Sequence, residues 1–130
     1  MSRVSGAFAM LDAGDGAPPP SGMYRNRKLL DLAHRITFCQ NCGTHVHEGC
    51  EPGHSNLSEH GKGFRLKAHD CFFAALCSRC HGWLDNSGGL GKDPTGRYTS
   101  SRDDKREMFR RAMDSTMLLL WQLELVRVAP

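Results

Sequence analysis

A chain of 130 residues with 39% hydrophobic content holds one modest domain with flanks and is too short for several. A net charge of +3, from 17 Lys and Arg against 14 Asp and Glu, suits a polyanionic partner without requiring one. No apolar run, 117–121 included, is long enough to span a bilayer, and the first residues hold no apolar core of signal-peptide length, so a cytoplasmic protein with reduced thiols and no membrane partner is expected.

Residues 1–22 are rich in Gly, Ala, Pro and Ser, end in Pro18-Pro19-Pro20-Ser21-Gly22 and show no sustained period, which predicts a flexible N-terminal tail before a domain over 23–130. From 24 to about 36, Leu29, Leu30, Leu32, Ala33 and Ile36 fall on one side of a helix, with Arg25, Arg27, Lys28 and Arg35 largely off it. Those charges either solvate an outer face or contact phosphate. Between 39 and 77 the frequent Gly, Pro, Ser and Asn predict knuckles, a hairpin and loops. Within that span, Gly61-Lys62-Gly63-Phe64-Arg65-Leu66-Lys67 reads as a mobile basic loop whose glycines let backbone amides approach a phosphate, or as a plain exposed turn.

The apolar run 71–76 reads as buried core, and a short helix is expected to begin within 77–81 and run to about 86, where Gly88 and Gly89 end it. Asp93-Pro94-Thr95-Gly96 marks a turn in the polar loop that follows. Ser101 is placed to cap a long helix, with Asp103 and Asp104 in its first turn and Met108, Phe109, Ala112, Met113, Met117, Leu120 and Leu123 at helical spacing. The methionines read as core filler, and the 117–121 segment is the candidate surface for a homodimer. Residues 125–128 alternate as a short terminal strand would.

So thin a core calls for a staple. Cys39 and Cys42, then Cys77 and Cys80, form two Cys-x-x-Cys pairs with 34 residues between Cys42 and Cys77. Thiolates at that spacing can share one Zn²⁺, and four of them leave no open position, so the site is structural and its binding energy is folding energy. Cys71 reads as simply buried, and Cys50 as a fallback ligand.

His81 follows Cys80 directly and Asp85 is four residues on, so on a helix both project from one face and can chelate a second divalent ion; Asp85 capping or solvating the helix end is the plain alternative. His54 stands in a polar Pro52-Gly53-His54-Ser55-Asn56 context where a core histidine is out of place. A histidine titrating near neutrality opposite a metal is what phosphodiester hydrolysis needs.

Taken together, Cys-x-x-Cys, a hairpin histidine and Cys-x-x-Cys-His-x-x-x-Asp resemble the HNH, or His-Me finger, nucleases. More closely, His54-Ser55-Asn56, Gly61-Lys62-Gly63, Lys67-Ala68-His69-Asp70 and Leu76-Cys77-Ser78-Arg79-Cys80-His81 through Leu84-Asp85 are similar to small phage and prophage nucleases of the YbcO-like kind. The resemblance covers about 29–85. It implies an α+β fold, a small zinc-stabilised treble-clef (ββα-metal) core with flanking helices. It implies His54 as general base, His81 and Asp85 as ligands of a catalytic ion, and Cys39, Cys42, Cys77 and Cys80 as the zinc set.

Two positions depart from that pattern. Asp85 stands where the last histidine is usual, which shifts the site toward Mg²⁺ or Mn²⁺. No asparagine lies between Asn56 and Asn86 to orient the base, and Asp70 is the candidate for that role or for a third ligand, with a loop turn as its plain reading. The expected activity is metal-dependent DNA cleavage, with Lys62, Arg65 or Lys67 on the neighbouring backbone, in phage recombination or replication. A non-catalytic zinc-dependent DNA-binding module explains the staple and the basic residues but gives His54, His81 and Asp85 no joint purpose, and a protein-interaction zinc domain explains less.

Overall fold

The computed structural model describes residues 24–63, 67–85 and 91–127. The expected tail, Arg65 and the glycines after the short helix lie outside them. The described residues form a small α+β structure: helix α1 (Arg27–Asp31) with a 3-10 turn (Leu32–Arg35), strand β1 (Glu51–His54), a second 3-10 turn (Ser58–His60), strand β2 (Phe73–Leu76), helix α2 (Ser78–Asp85) and helix α3 (Arg102–Gln122). The two strands pair antiparallel, with Glu51 opposite Leu76 and His54 opposite Phe73.

Strand β2 is buried along its whole length, and its two faces divide the core. Ala74 and Leu76 join the cluster that holds Cys39, Cys80, Met108 and Phe109, while Phe73 and Ala75 face Leu30, Ile36, Cys50 and Leu120. That split follows from the period of two along a strand. Each fully buried Phe or Leu contributes about 1.5–3 kcal/mol, which a two-stranded sheet cannot gather without a helix over it. Helix α3 is that helix. It starts at Ser101, whose hydroxyl accepts from Asp104 N, and it carries Asp103 and Asp104 in its first turn as predicted. Buried Thr116 ties it to the sheet, donating to the Ala112 carbonyl and accepting from Ala75 N at 2.9 Å.

Helix α2 occupies its expected place. The first helix differs: Asn26 rather than a residue near 24 caps it, accepting from Leu29 N at 3.0 Å, and it tightens into a 3-10 turn after five residues. A close approach accompanies that turn. Gly49, in the left-handed region at φ 94°, packs so near His34 that a Cβ there would lie 2.1 Å from the His34 carbonyl oxygen.

The expected strand at 125–128 is not formed over its described part. Glu124 is left-handed at φ 56°, and Leu125 N and Val126 N both turn back to the Leu120 carbonyl. This helix-ending turn buries Val126 in the second cluster. Among the described residues, no helix is long and apolar enough to cross a membrane.

Candidate metal centre and catalytic cleft

The chain brings Cys39, Cys42, Cys77 and Cys80 together, with their four Sγ atoms within 4.8 Å of one another. Cys39 and Cys42 come from a tight turn closed by Gly43 N to the Cys39 carbonyl at 2.9 Å. Cys77 sits where an N-cap would, its Sγ 3.5 Å from Cys80 N at the start of α2. A tetrahedral ion with legs of about 2.3 Å needs S···S edges of about 3.8 Å. Cys42 and Cys77 are 3.7 Å apart, so the donor set fits an ion such as zinc.

The surroundings suit thiolates. Asn41 N lies 3.4 Å from Cys39 Sγ, and the Asn41 side-chain amide donates to Cys80 Sγ at 3.3 Å. The hydrogen bond from Cys80 holds Cys39 far below the usual thiol range against the opposing effect of burial, and pushes Cys80 up in turn. Protons crowded among four sulfurs are what a divalent cation displaces on binding.

Behind the cluster stands a carboxylate that sequence reasoning marked only as a turn. Buried Asp93 accepts from Asn41 Nδ2 at 2.7 Å, from Thr95 Oγ1, and from the amides of Arg97 and Tyr98. Burial opposes its ionisation, but these bonds outweigh that and hold it below the ordinary value. Cys50 is not part of the sulfur group. It is completely buried in the second core cluster, where burial pushes its thiol up to about 12, so it is a neutral core residue and not a fallback ligand. Cys71 is only half-buried.

His54 ends β1, with its side chain 32% exposed and its Nε2 3.6 Å from Asp70 Oδ1, whose side chain is 7% exposed. Asp70 is fixed from behind by Asn26 N at 2.7 Å and by Arg25 Nη1 at 3.7 Å. A carboxylate on that side favours the tautomer with its proton on Nε2, which leaves Nδ1 able to accept one. Burial holds His54 below the ordinary value of 6.5, outweighing the upward pull of Asp70.

His81 and Asp85 share a face of α2, and Nε2 of the first lies 3.0 Å from Oδ2 of the second. At that distance the two side chains form a hydrogen-bonded pair. The other ring nitrogen, Nδ1, lies 2.7 Å from Glu51 Oε1, and Glu51 is steadied by Ser78 Oγ at 2.8 Å. The Asp85 hydrogen bond, opposed by burial and aided by Glu51, pushes His81 up to about 9. Its added proton therefore marks a spot that two carboxylates make favourable for positive charge.

Glu51 is the residue that sequence reasoning missed. Glu51 and Gly53 share a face of β1, where the missing Cβ of Gly53 makes room for its neighbours, since one there would sit 2.9 Å from Leu76 Cδ1 and 3.6 Å from His81 Cδ2.

His54 and Asp85 face one cleft of about 360 Å³, which Asn56, Lys62 and Lys67 also line. The Asn56 amide adds to the His81 hydrogen bond in holding Asp85 below its ordinary value, against burial. Asp70 lies on the His54 side and not with His81. Among the described residues, the four cysteines are the one group of three or more His, Cys, Asp or Glu placed to share an ion, so the third-ligand alternative for Asp70 is not realised. His60 and His69 do structural work: His60 bonds buried Ser55 at 2.7 Å and stacks on Phe72, and His69 Nδ1 accepts from Tyr24 N. His45 lies against Phe38 on the knuckle surface.

Fold and site together define a small α+β protein with a four-cysteine cluster able to hold an ion such as zinc. No protein-family model, curated protein or solved structure matches the chain.

Proposed function

We propose that the protein is a metal-dependent DNA endonuclease of HNH type, with a treble-clef core stapled by zinc on Cys39, Cys42, Cys77 and Cys80. The observation that carries this reading is one cleft walled by His54, backed by the buried Asp70, and by Asp85, paired with His81. A base with an orienting carboxylate facing an imidazole–carboxylate pair is the division of labour that phosphodiester hydrolysis asks of a protein.

His54 takes the proton of the attacking water on Nδ1, and Asp70 holds Nε2–H and stabilises the imidazolium that forms. Glu51 fixes the His81 ring so that Nε2 points toward Asp85. A divalent ion such as Mg²⁺ or Mn²⁺ on His81 and Asp85, when bound, supplies the charge that the phosphate and the departing 3′-oxygen require. Lys62 and Lys67, on the cleft wall, hold neighbouring phosphates. The resemblance to phage nucleases sets this activity in DNA recombination or replication in the host cytoplasm. Leu118 and Trp121, both about half exposed, are the part of the 117–121 surface offered to a homodimer.

The test is nicking of plasmid and branched DNA with Mg²⁺, Mn²⁺, Ni²⁺ or Zn²⁺ added, beside a zinc-replete His54→Ala variant. Metal-dependent nicking lost in the variant is the expected result. One observation favours a second reading: both ring nitrogens of His81 already meet carboxylates, as in a purely structural ion pair. DNA binding without cutting by either protein would make the zinc-dependent binding module the better account.

A further inference from the structure

A second and larger cleft, about 560 Å³, adjoins the catalytic one, and the two share Asn56 and Asp85 as common wall. Its far side is the start of α3, where Arg102, Lys105 and Arg106 follow the i, i+3, i+4 spacing that places side chains on one helix face. The next turn of the same helix uses its arginines internally: Arg110 pairs with Glu59 at 3.1 Å, and Arg111 donates to Tyr98 Oη. Arg102 and Arg106, by contrast, make no ion pair among the described residues. Lys105 lies over the Trp83 ring, its Nζ 5.2 Å from the centroid, which anchors it at the groove.

Leu57, Leu84 and Phe109 also line this groove, but all three are nearly completely buried, so each shows a ligand little of its side chain. What it offers is three cations on a rim. Lys62 and Lys67 stand on the other cleft that Asp85 walls. Cations thus flank the shared wall on both sides, an arrangement suited to one long polyanion and wasteful for a single small phosphate.

We propose that the groove along the first turns of α3 holds the phosphodiester backbone of a DNA strand beyond the scissile phosphate, with Arg102, Lys105 and Arg106 as its phosphate contacts. The proposal rests on the nuclease reading for what happens at the shared wall. The binding itself is tested apart from cleavage.

The measurement is fluorescence anisotropy of a labelled DNA oligonucleotide across a salt series, in a His54→Ala background with no metal added beyond the structural ion. In R102Q/K105Q/R106Q the slope of log Kd against log salt is expected to fall by about 2 to 3, since each phosphate contact contributes roughly 0.7–0.9. R27Q/K28Q/R35Q removes the same charge from the α1 region and is expected to leave the slope unchanged. R102Q/R106Q keeps Lys105 on Trp83 and carries the same test with two contacts, should the triple variant lose zinc or stability. An unchanged slope in the α3 variants, an equal loss in the α1 variant, or no DNA binding by the parent overturns the proposal. A slope that falls only in the α3 variants, from a parent whose wild type cuts nothing in any metal, keeps the groove and discards the nuclease.

Discussion

The two ends of α2 use neighbouring residues for opposite purposes. At its start, Cys77 and Cys80 turn inward to a buried sulfur cluster with a shell of amide donors. At its other end the helix turns the half-exposed Asp85 carboxylate, paired with His81, toward an open cleft. Four thiolates leave a tetrahedral ion no open position, so the first site can do nothing but hold; in the function proposed above, the second would have to leave positions for water and substrate. The difference teaches why one short helix serves both: the energy of the first holds the geometry of the second.

The comparison breaks most completely at the sulfurs. Cys77→Ser, or removal of the ion by a chelator, is expected to abolish cooperative thermal unfolding, because structural zinc contributes on the order of 10 kcal/mol to domains this small. Cys50→Ala, a buried cysteine outside the cluster, should keep one zinc per chain and lose about 1–2 kcal/mol in urea unfolding. Equal metal loss in both variants would erase the distinction between ligand and core cysteine.

At the cleft the expected effects fall on chemistry, not on folding. His54→Ala should lower the nicking rate by roughly 10²–10⁴-fold with zinc content unchanged. Glu51→Gln sharpens the contrast within α2, because it touches His81 and not the sulfurs. It is expected to raise the concentration of Mg²⁺ or Mn²⁺ needed for half-maximal nicking by about 10–100-fold.

How much of this was legible in the sequence depends on the distance between partners. The cysteine pairs and the His81–Asp85 pair are local, with spacings set by knuckle and helix geometry, and Ser101 with its apolar period announced α3 except at Leu123, which lies past the helix end and is exposed. Glu51 reaches His81 only through the register that puts it opposite Leu76, one residue before Cys77, and nothing local to Glu51 records that pairing. Asn41 and Asp93 lie 52 residues apart and looked like a knuckle residue and a turn. The strand expected at 125–128 misread a helix-ending turn, because the left-handed position that usually announces itself with glycine holds Glu124.

The pH dependence separates His54 from Asp70. His54 must be neutral to accept a proton, and its value lies below 6.5, so the limb of the nicking profile that belongs to the base is expected to fall only as pH drops through that lower value. Since Asp70 raises the His54 value, Asp70→Asn should move the acid limb to still lower pH while reducing the plateau rate through the lost tautomer preference. An acid limb that moves upward would place Asp70 outside the influence of the base.

An effect on folding as small as that of Cys50→Ala lies where the closed site meets its support. Asp93→Ala leaves the amides of Arg97 and Tyr98 and the side chain of Asn41 without their acceptor, and of the three donors the Tyr98 amide is the one in a fully buried bond. Unpaired buried donors cost about 1–3 kcal/mol in total where the loop can partly relax, and that is the expected loss in urea unfolding. Its sign with pH is also set: because the folded value of Asp93 is depressed, its contribution is present above the ordinary carboxylate range and is lost as pH falls through the folded value. The stability difference between wild type and Asp93→Ala should therefore narrow on acidification. Asn41 keeps its other bond, to Cys80 Sγ, so zinc should remain bound at neutral pH, separating a residue that braces the cluster from the four that form it.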